Sequence, residues 1–141
     1  MTTVTTLDEI VQWFESITPE TVAQVAQFYG DDAYFKDPFQ EVRGVAAVTH
    51  VYGHMFKQVV KPRFKVQQRF HAANGEVMLT WDFLFEMRGK PQVVRGTTHL
   101  QFAADGRINS HRDYWDVAEE LYEKLPVLGS LMRFLKRQAA K

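Results

Sequence analysis

One feature constrains the fold more than any other: every second residue over 77–87 is apolar, without a break. The apolar members are Val77, Leu79, Trp81, Phe83, Phe85 and Met87. Successive side chains of a strand point to opposite faces, so this stretch predicts a strand with one buried face. After a turn at Gly89–Lys90–Pro91, the same pattern returns in a second inward-facing set: Val94, Gly96, Thr98, Leu100 and Phe102.

Two further strands flank this pair in the sequence. Phe64, Val66 and Phe70 alternate with polar residues before Asn74–Gly75, a two-residue hairpin signal. Beyond a turn at Asp105–Gly106, residues 108–116 form the last predicted strand. The four strands follow one another with short turns, which predicts an antiparallel meander.

Two helices are predicted near the N-terminus. Thr6 and Glu9 have the spacing of a capping box, in which the threonine hydroxyl accepts from a free amide at the start of a helix. Thr18–Pro19 predicts the start of a second helix, because proline suits a position whose amide needs no partner. Gly30 predicts its end, and Asp31–Asp32 a turn after it.

A third helix is predicted between Gly44 and Pro62. Its apolar face consists of Val48, Val51, Tyr52, Met55, Phe56 and Val59. Three helices followed by a meander predict an α+β fold, with the helices gathered on one face of a curved antiparallel sheet.

Composition narrows the classes of function. The chain has 141 residues, which predicts one domain, and its 17 basic and 17 acidic residues cancel. Neutrality argues against nucleic acid as a partner, since that normally requires a basic face. Without cysteine there is neither a disulfide framework nor a cysteine metal site. No secretory signal is visible, so a cytoplasmic protein is expected.

Asp37 is the most informative single residue for function. It ends a short predicted strand over 33–37, is followed by Pro38, and lies between Phe35 and Phe39. In apolar surroundings a carboxylate can handle protons, because desolvation favours its neutral form. An Asp-Pro pair can equally end a strand, with the carboxylate capping nearby amides. The sequence leaves both readings open.

The segment QFYGDDAYFKDPF, with Gly44 and the helix after it, resembles the ketosteroid isomerase-like and SnoaL-like members of the nuclear transport factor 2 superfamily. The resemblance continues through Gly89–Lys90–Pro91, residues 102–108 and Tyr114–Trp115. It implies a cone in which a bent sheet surrounds an apolar pocket, and a homodimer through the outer sheet face. It also implies isomerase, cyclase, dehydratase or hydrolase chemistry without a cofactor, or a non-catalytic binding role.

The resemblance places Asp37 at the position of the general base. Trp13 and Thr98 stand where the isomerases have a tyrosine and a protonated aspartate. His111 and Asp113 are two apart on a strand and so share a face with Trp115, which makes them candidate acid/base partners. The catalytic residues predicted are therefore Asp37, His111 and Asp113. The substrate-binding residues predicted are Trp13, Phe56, Trp81, Phe83, Phe85, Thr98 and Trp115.

Two hypotheses for function follow. In the first, a small apolar molecule enters the cone and Asp37 moves a proton, aided by His111 and Asp113. In the second, the same pocket binds a ligand, or the protein binds a partner, without chemistry. No metal site is expected, because His50 and His54 lie opposite the apolar face of their helix and lack a third ligand.

The C-terminal residues differ in character from the rest. We expect a pocket domain over 1–118 and an amphipathic helical tail over 119–141. Its apolar stripe comprises Val127, Leu128, Leu131, Met132 and Leu135, and its basic residues are Arg133, Lys136, Arg137 and Lys141. Packing on the domain or on a dimer partner is favoured over contact with an anionic membrane surface.

Overall fold

The computed structural model describes residues 4–121 and 126–140. Its helices are α1 (Leu7–Glu15), α2 (Val25–Phe28), α3 (Val45–Gln58), α4 (Val117–Glu120) and α5 (Pro126–Ala139), with a 3₁₀ turn at Thr21–Gln24 before α2. Its strands are β1 (Tyr29–Lys36), β2 (Glu41–Arg43), β3 (Val60–His71), β4 (Val77–Met87), β5 (Lys90–Phe102) and β6 (Ile108–Tyr114).

One curved, unclosed sheet holds all six strands in the order β2-β1-β6-β5-β4-β3. Strands β3 to β6 form the predicted antiparallel meander. Strand β1 joins it by parallel pairing with β6, and β2 extends the sheet beyond β1. The α+β class with a bent sheet is therefore confirmed.

Helices α1 and α3 cover the inner face of this sheet, where α1 contacts β3 and α3 contacts both β1 and β3. The Thr6 hydroxyl accepts a hydrogen bond from the Glu9 amide at 3.3 Å, which caps α1 as expected. The core between the two layers contains fully buried aliphatic residues from helices and strands. They include Ile10, Val25, Val48, Leu79, Leu100 and Ile108.

The segment before the sheet differs from its prediction. Thr18–Pro19 does not open a long helix; a 3₁₀ turn and the four-residue α2 take its place. Gly30 does not end a helix and Asp31–Asp32 is not a turn, since all three lie within β1. The reason is pairing with β6, which begins at Tyr29 opposite Ile108 and draws the segment into the sheet.

The sequence predicts that Pro62 ends α3, but in the structure this proline lies inside β3. Helix α3 begins after Gly44 as predicted and ends at Gln58. Proline is tolerated here because β3 is an edge strand, where a missing amide breaks no ladder. The pairing of β3 with β4 also shifts register between Val60 and Arg63, around the proline.

The turns of the meander fall where the sequence placed them, with local adjustments. Ala72 and Glu76 close the β3–β4 turn, and Gly75 takes a positive φ of 90° within it. Between β4 and β5, Met87 pairs with Lys90, so the two-residue loop is Arg88–Gly89. Both loop residues have positive φ, as a turn matched to the twist of a hairpin requires.

The tail forms α5, as predicted, with Leu131 and Leu135 half exposed. The side chains of Val127 and Leu128, and all of Lys141, lie outside the described residues. The boundary at residue 118 and the dimer through the outer sheet face stay predictions. No helix within the described ranges has both the length and the hydropathy to cross a membrane.

Candidate functional site

A cavity of about 520 Å³ opens between the inner face of the sheet and helix α3. Its wall is mostly apolar and rich in aromatic side chains, which include Phe14, Phe35, Phe64, Trp81, Phe83 and Phe85. The polar groups that reach it are few, as is usual for a small-molecule site. They lie mainly where β1 and β6 run side by side.

Asp113 is the centre of the polar part of the wall. Its Oδ1 accepts hydrogen bonds from the Thr98 hydroxyl at 2.6 Å and from His111 Nε2 at 2.7 Å. The Thr98 hydroxyl in turn accepts from Trp81 Nε1 at 2.7 Å. Both bonds to the carboxylate end on the same oxygen, so Oδ2 is the atom with which Asp113 can meet a bound molecule.

The hydrogen bonds continue behind His111 into the core. His111 Nδ1 lies 2.8 Å from the Tyr29 hydroxyl, which lies 2.6 Å from the Tyr52 hydroxyl. The imidazole packs against the rings of Phe35 and Phe14, with centroids 4.5 and 5.9 Å away. Because both ring nitrogens have protein partners, His111 reaches a ligand through Asp113 and Tyr52.

Both tyrosines stay neutral over the ordinary pH range. Burial raises the pKa of Tyr29 well above its usual value, and the neighbouring Tyr52 and Asp113 raise it further. Burial likewise raises the pKa of Tyr52, with added contributions from the negative charges of Asp113 and Asp37, against a smaller opposing hydrogen bond from Tyr29. They therefore serve as hydroxyl donors and acceptors and not as phenolates.

The charge of His111 sets the direction of this hydrogen-bond series. With a single proton, on Nε2, the ring accepts from Tyr29, and Tyr52 donates inward to Tyr29. With both nitrogens protonated, the ring donates to Tyr29 and Tyr29 donates to Tyr52. Tyr52 is one of the residues that line the cavity, and its hydroxyl proton is then no longer directed to Tyr29 and can be donated outward. The series can thus offer the cavity an acceptor, Asp113, and a donor, Tyr52.

Asp37 also lines the cavity, but its carboxylate caps a loop. Oδ1 accepts from the amides of Phe39 at 2.8 Å and Gln40 at 3.0 Å, and Oδ2 accepts from the Gln40 side chain at 3.0 Å. Of the two readings of the sequence, the capping geometry is present. Asp37 also lies at the cavity wall, so the same carboxylate caps the loop and faces the region where a ligand would bind.

Asp37 and Asp113 both line the cavity, near the end of the parallel β1–β6 ladder. Phe35 pairs with His111 and Lys36 with Arg112 across the parallel β1–β6 ladder. Asp37 follows the last residue of β1, and Asp113 is the next residue of β6, on the same face as His111. Adjacent strands lie about 4.8 Å apart, so the two carboxylates meet the same region of the cavity.

Most of the substrate-binding residues named from the sequence line the cavity. They are Trp81, Phe83, Phe85, Thr98 and Trp115. Trp13 and Phe56 are not among the lining residues. Trp13 packs on Phe28 and donates its indole N–H to the Thr21 carbonyl at 3.0 Å, so it serves the core. The Thr98 proton is directed to Asp113 and is not free for a ligand.

Sequence reasoning missed the roles of Tyr29 and Tyr52. From the sequence, Tyr52 is counted as an apolar member of the third helix and no functional role is assigned to Tyr29, which begins β1. The signal was the residue type itself. A tyrosine on a buried stripe must find a partner for its hydroxyl, whereas phenylalanine need not.

Gly96 is a local requirement of the site. It pairs with Trp81 across β4 and β5, and the indole lies over it. A Cβ at this position would meet Trp81 Cζ2 at 2.7 Å and Cζ3 at 2.8 Å, with Cη2 closer still. Only glycine lets the indole lie flat enough to reach Thr98.

A metal centre finds no support in this part of the molecule. The rings of His50 and His54 stack with centroids 5.9 Å apart, and both side chains are exposed. Over residues 4–121 and 126–140, no group of three or more His, Asp or Glu residues is arranged to hold a metal ion.

Solved structures of other proteins share this architecture. A hypothetical protein of Catenulispora acidiphila with a ketosteroid isomerase-like fold, solved in complex with trimethylamine, matches with a TM-score of 0.69 and 16% identity, over 83% of this chain and 92% of that one. A putative SnoaL-like polyketide cyclase of Shewanella putrefaciens matches with a TM-score of 0.65 and 16% identity, over 81% of this chain and 84% of that one. A putative isomerase of Bacillus subtilis matches with a TM-score of 0.66 and 20% identity, over 80% of this chain and 90% of that one.

At these identities the structural matches establish the fold alone. A search of curated protein sequences found no significant match. The sequence model of the SnoaL-like domain matches residues 10–111, which include most of the sheet and the cavity wall. The chain therefore belongs to the SnoaL-like domain family.

Proposed function

We propose that this protein is a cofactor-independent acid/base enzyme of the isomerase or cyclase type, which transfers a proton next to a carbonyl group of a small, largely apolar molecule. The observation that carries the proposal is the hydrogen-bond series from Trp81 through Thr98, Asp113 and His111 to the two tyrosines. Such a series fixes one carboxylate at the wall of an apolar cavity, where its charge is little screened.

Asp113 is the proposed base. Its Oδ2 takes the proton from the carbon next to the carbonyl, the C–H electron pair forms the new C=C bond, and the carbonyl π electrons move to the oxygen. Tyr52 donates a hydrogen bond to that oxygen when the series runs outward, which stabilises the enolate. Asp113 then returns the proton to the same carbon or, where the enolate is conjugated with a further C=C bond, to the far end of that bond, which shifts the double bond. His111 is a positioning residue: it orients Asp113 directly and Tyr52 through the Tyr29 hydroxyl.

Solvent exchange tests this step without knowledge of the natural substrate. β-Tetralone, a bicyclic ketone with acidic C–H bonds, is incubated with the protein in D₂O, and deuterium incorporation is followed by proton NMR. We expect exchange above the buffer rate, and a loss of about 100-fold or more in Asp113→Asn, the usual contribution of a general base. Asp82→Asn, on the outer face of β4, is the matched control and should exchange like wild type.

The outcomes separate the candidate mechanisms. Loss of exchange in Asp37→Asn with retention in Asp113→Asn would move the base to Asp37. Exchange no faster than buffer for the wild-type protein, with β-tetralone bound, would leave a non-catalytic ligand-binding module as the function.

A further inference from the structure

We propose that the ligand of this cavity carries a positively charged amine on an apolar body, and that the ammonium group binds at a subsite formed by Asp37, Phe39 and Trp115. The inference rests on the proposed function in using the same cavity, but it requires no turnover. It concerns the charge of the bound molecule, which the proton-transfer step leaves open.

The first support is the charge balance of the wall. Two carboxylates, Asp37 and Asp113, line the cavity, and no lysine or arginine of the described chain does. Asp113 has an imidazole partner in His111, which can carry a positive charge. Asp37 accepts three hydrogen bonds from neutral amides, and no Lys, Arg or His within the described residues pairs with it. No ion pair within the described residues therefore neutralises its charge.

The nearest cation along the chain is already engaged. Lys36 precedes Asp37 on β1, where side chains alternate, and its ammonium pairs with Glu41 at 3.3 Å. The protein thus places a carboxylate at the cavity wall and directs the neighbouring lysine to another partner. A cation supplied by the ligand would fill this position.

The second support is aromatic. Phe39 and Trp115 both line the cavity, and their rings meet edge to face with centroids 5.6 Å apart. Phe39 is 59% exposed although phenylalanine is usually buried, so its ring is accessible to a ligand. Ring faces attract cations, and aromatic residues beside a carboxylate are the groups that bind alkylammonium ions. The same wall disfavours carboxylate or phosphate ligands, which would meet two negative charges.

Three probes of one shape test the charge preference: cyclohexylmethylammonium, cyclohexylmethanol and cyclohexanecarboxylate. Their dissociation constants are measured by calorimetry at pH 7 and low salt, with the full chain. We expect the ammonium to bind about tenfold more tightly than the alcohol, as one favourable cation contact provides, and the carboxylate more weakly than either. Added salt should reduce the preference for the ammonium.

Two substitutions locate the subsite. Asp37→Asn keeps an oxygen for the Phe39 and Gln40 amides, and the Gln40 side chain can rotate to face the new amide, so the loop can hold its shape. It should bring the ratio of ammonium to alcohol affinity toward one. Phe39→Leu keeps an apolar side chain without a ring face and should lower the ratio about threefold. Asp82→Asn should leave the ratio at its wild-type value.

An equal affinity for ammonium and alcohol, a preference for the carboxylate, no binding of any probe, or an unchanged ratio in Asp37→Asn would overturn the inference. These results are independent of the exchange assay. Deuterium exchange that depends on Asp113, without any preference for the ammonium, refutes the amine subsite alone. A clear preference for the ammonium, without exchange, refutes the proton transfer alone.

Discussion

Replacing Gly96 by alanine tests the packing on which the site depends. The new methyl carbon would lie 2.7 Å from Trp81 Cζ2, whereas carbon atoms in contact prefer about 3.5–4.0 Å. The indole must retreat by about 1 Å, which lengthens its 2.7 Å hydrogen bond to Thr98. Overpacking costs about 1–3 kcal/mol, and the hydrogen bond adds about 1 kcal/mol. The lower chain entropy of alanine in the unfolded state offsets about 0.4–1 kcal/mol.

The net expectation is a loss of about 2 kcal/mol in the free energy of unfolding, measured by urea denaturation followed by circular dichroism. Gly53→Ala is the matched control. It lies inside α3 with nothing within 4 Å of the added carbon, so it should stabilise the protein by about 0.5–1 kcal/mol. If Gly96→Ala is as stable as wild type, the indole does not need glycine beneath it, and the account of the Trp81–Thr98 contact is wrong.

Two further predictions concern the polar series. Thr98→Val keeps the shape of a side chain that is 3% exposed but leaves the Trp81 N–H without its acceptor and Asp113 with one hydrogen bond fewer. It should cost about 2 kcal/mol in urea unfolding, whereas Thr97→Val on the other face of β5 should be near neutral, and equal costs would contradict the network. In spectrophotometric titration, Tyr29 and Tyr52 should ionise only well above the usual tyrosine pKa of about 10. Their pKa values are raised in the folded state, so the native state binds more protons than the unfolded state above about pH 10. The contribution of these two tyrosines to the free energy of unfolding should therefore be constant below that pH and fall above it. Tyr29→Phe should flatten this alkaline decline, and an unchanged decline would contradict the assignment.

The sequence predicted the parts of the fold that depend on local pattern. Alternation over 77–87 and 94–102 gave the strands and their inner faces, and the spacing of His111 and Asp113 gave a shared face. It also gave Trp81 and Thr98 as residues of the cavity wall. These inferences succeed because a strand's side-chain period of two is a property of the backbone itself.

What the sequence did not predict depends on partners distant in the chain. The extent of β1 follows from its pairing with β6, and no local pattern reveals that pairing. Asp37 read equally well as a base or a cap, because the choice depends on where the Phe39 and Gln40 amides point. Tyr29 and Tyr52 looked like core residues, since their hydroxyl partners come from other elements.

The parallel ladder between β1 and β6 has a consequence for how the protein folds. The β3–β6 meander closes through short hairpins, but β1 pairs with β6 across an intervening segment that contains α3 and four strands, which is a costly closure. That long-range closure brings Tyr29 to His111 and places Asp37 at the cavity wall. A chain without β1 would therefore keep Trp81, Thr98, His111 and Asp113 on the meander, but His111 would lose its Tyr29 partner and the cavity would lose Phe35 from its wall.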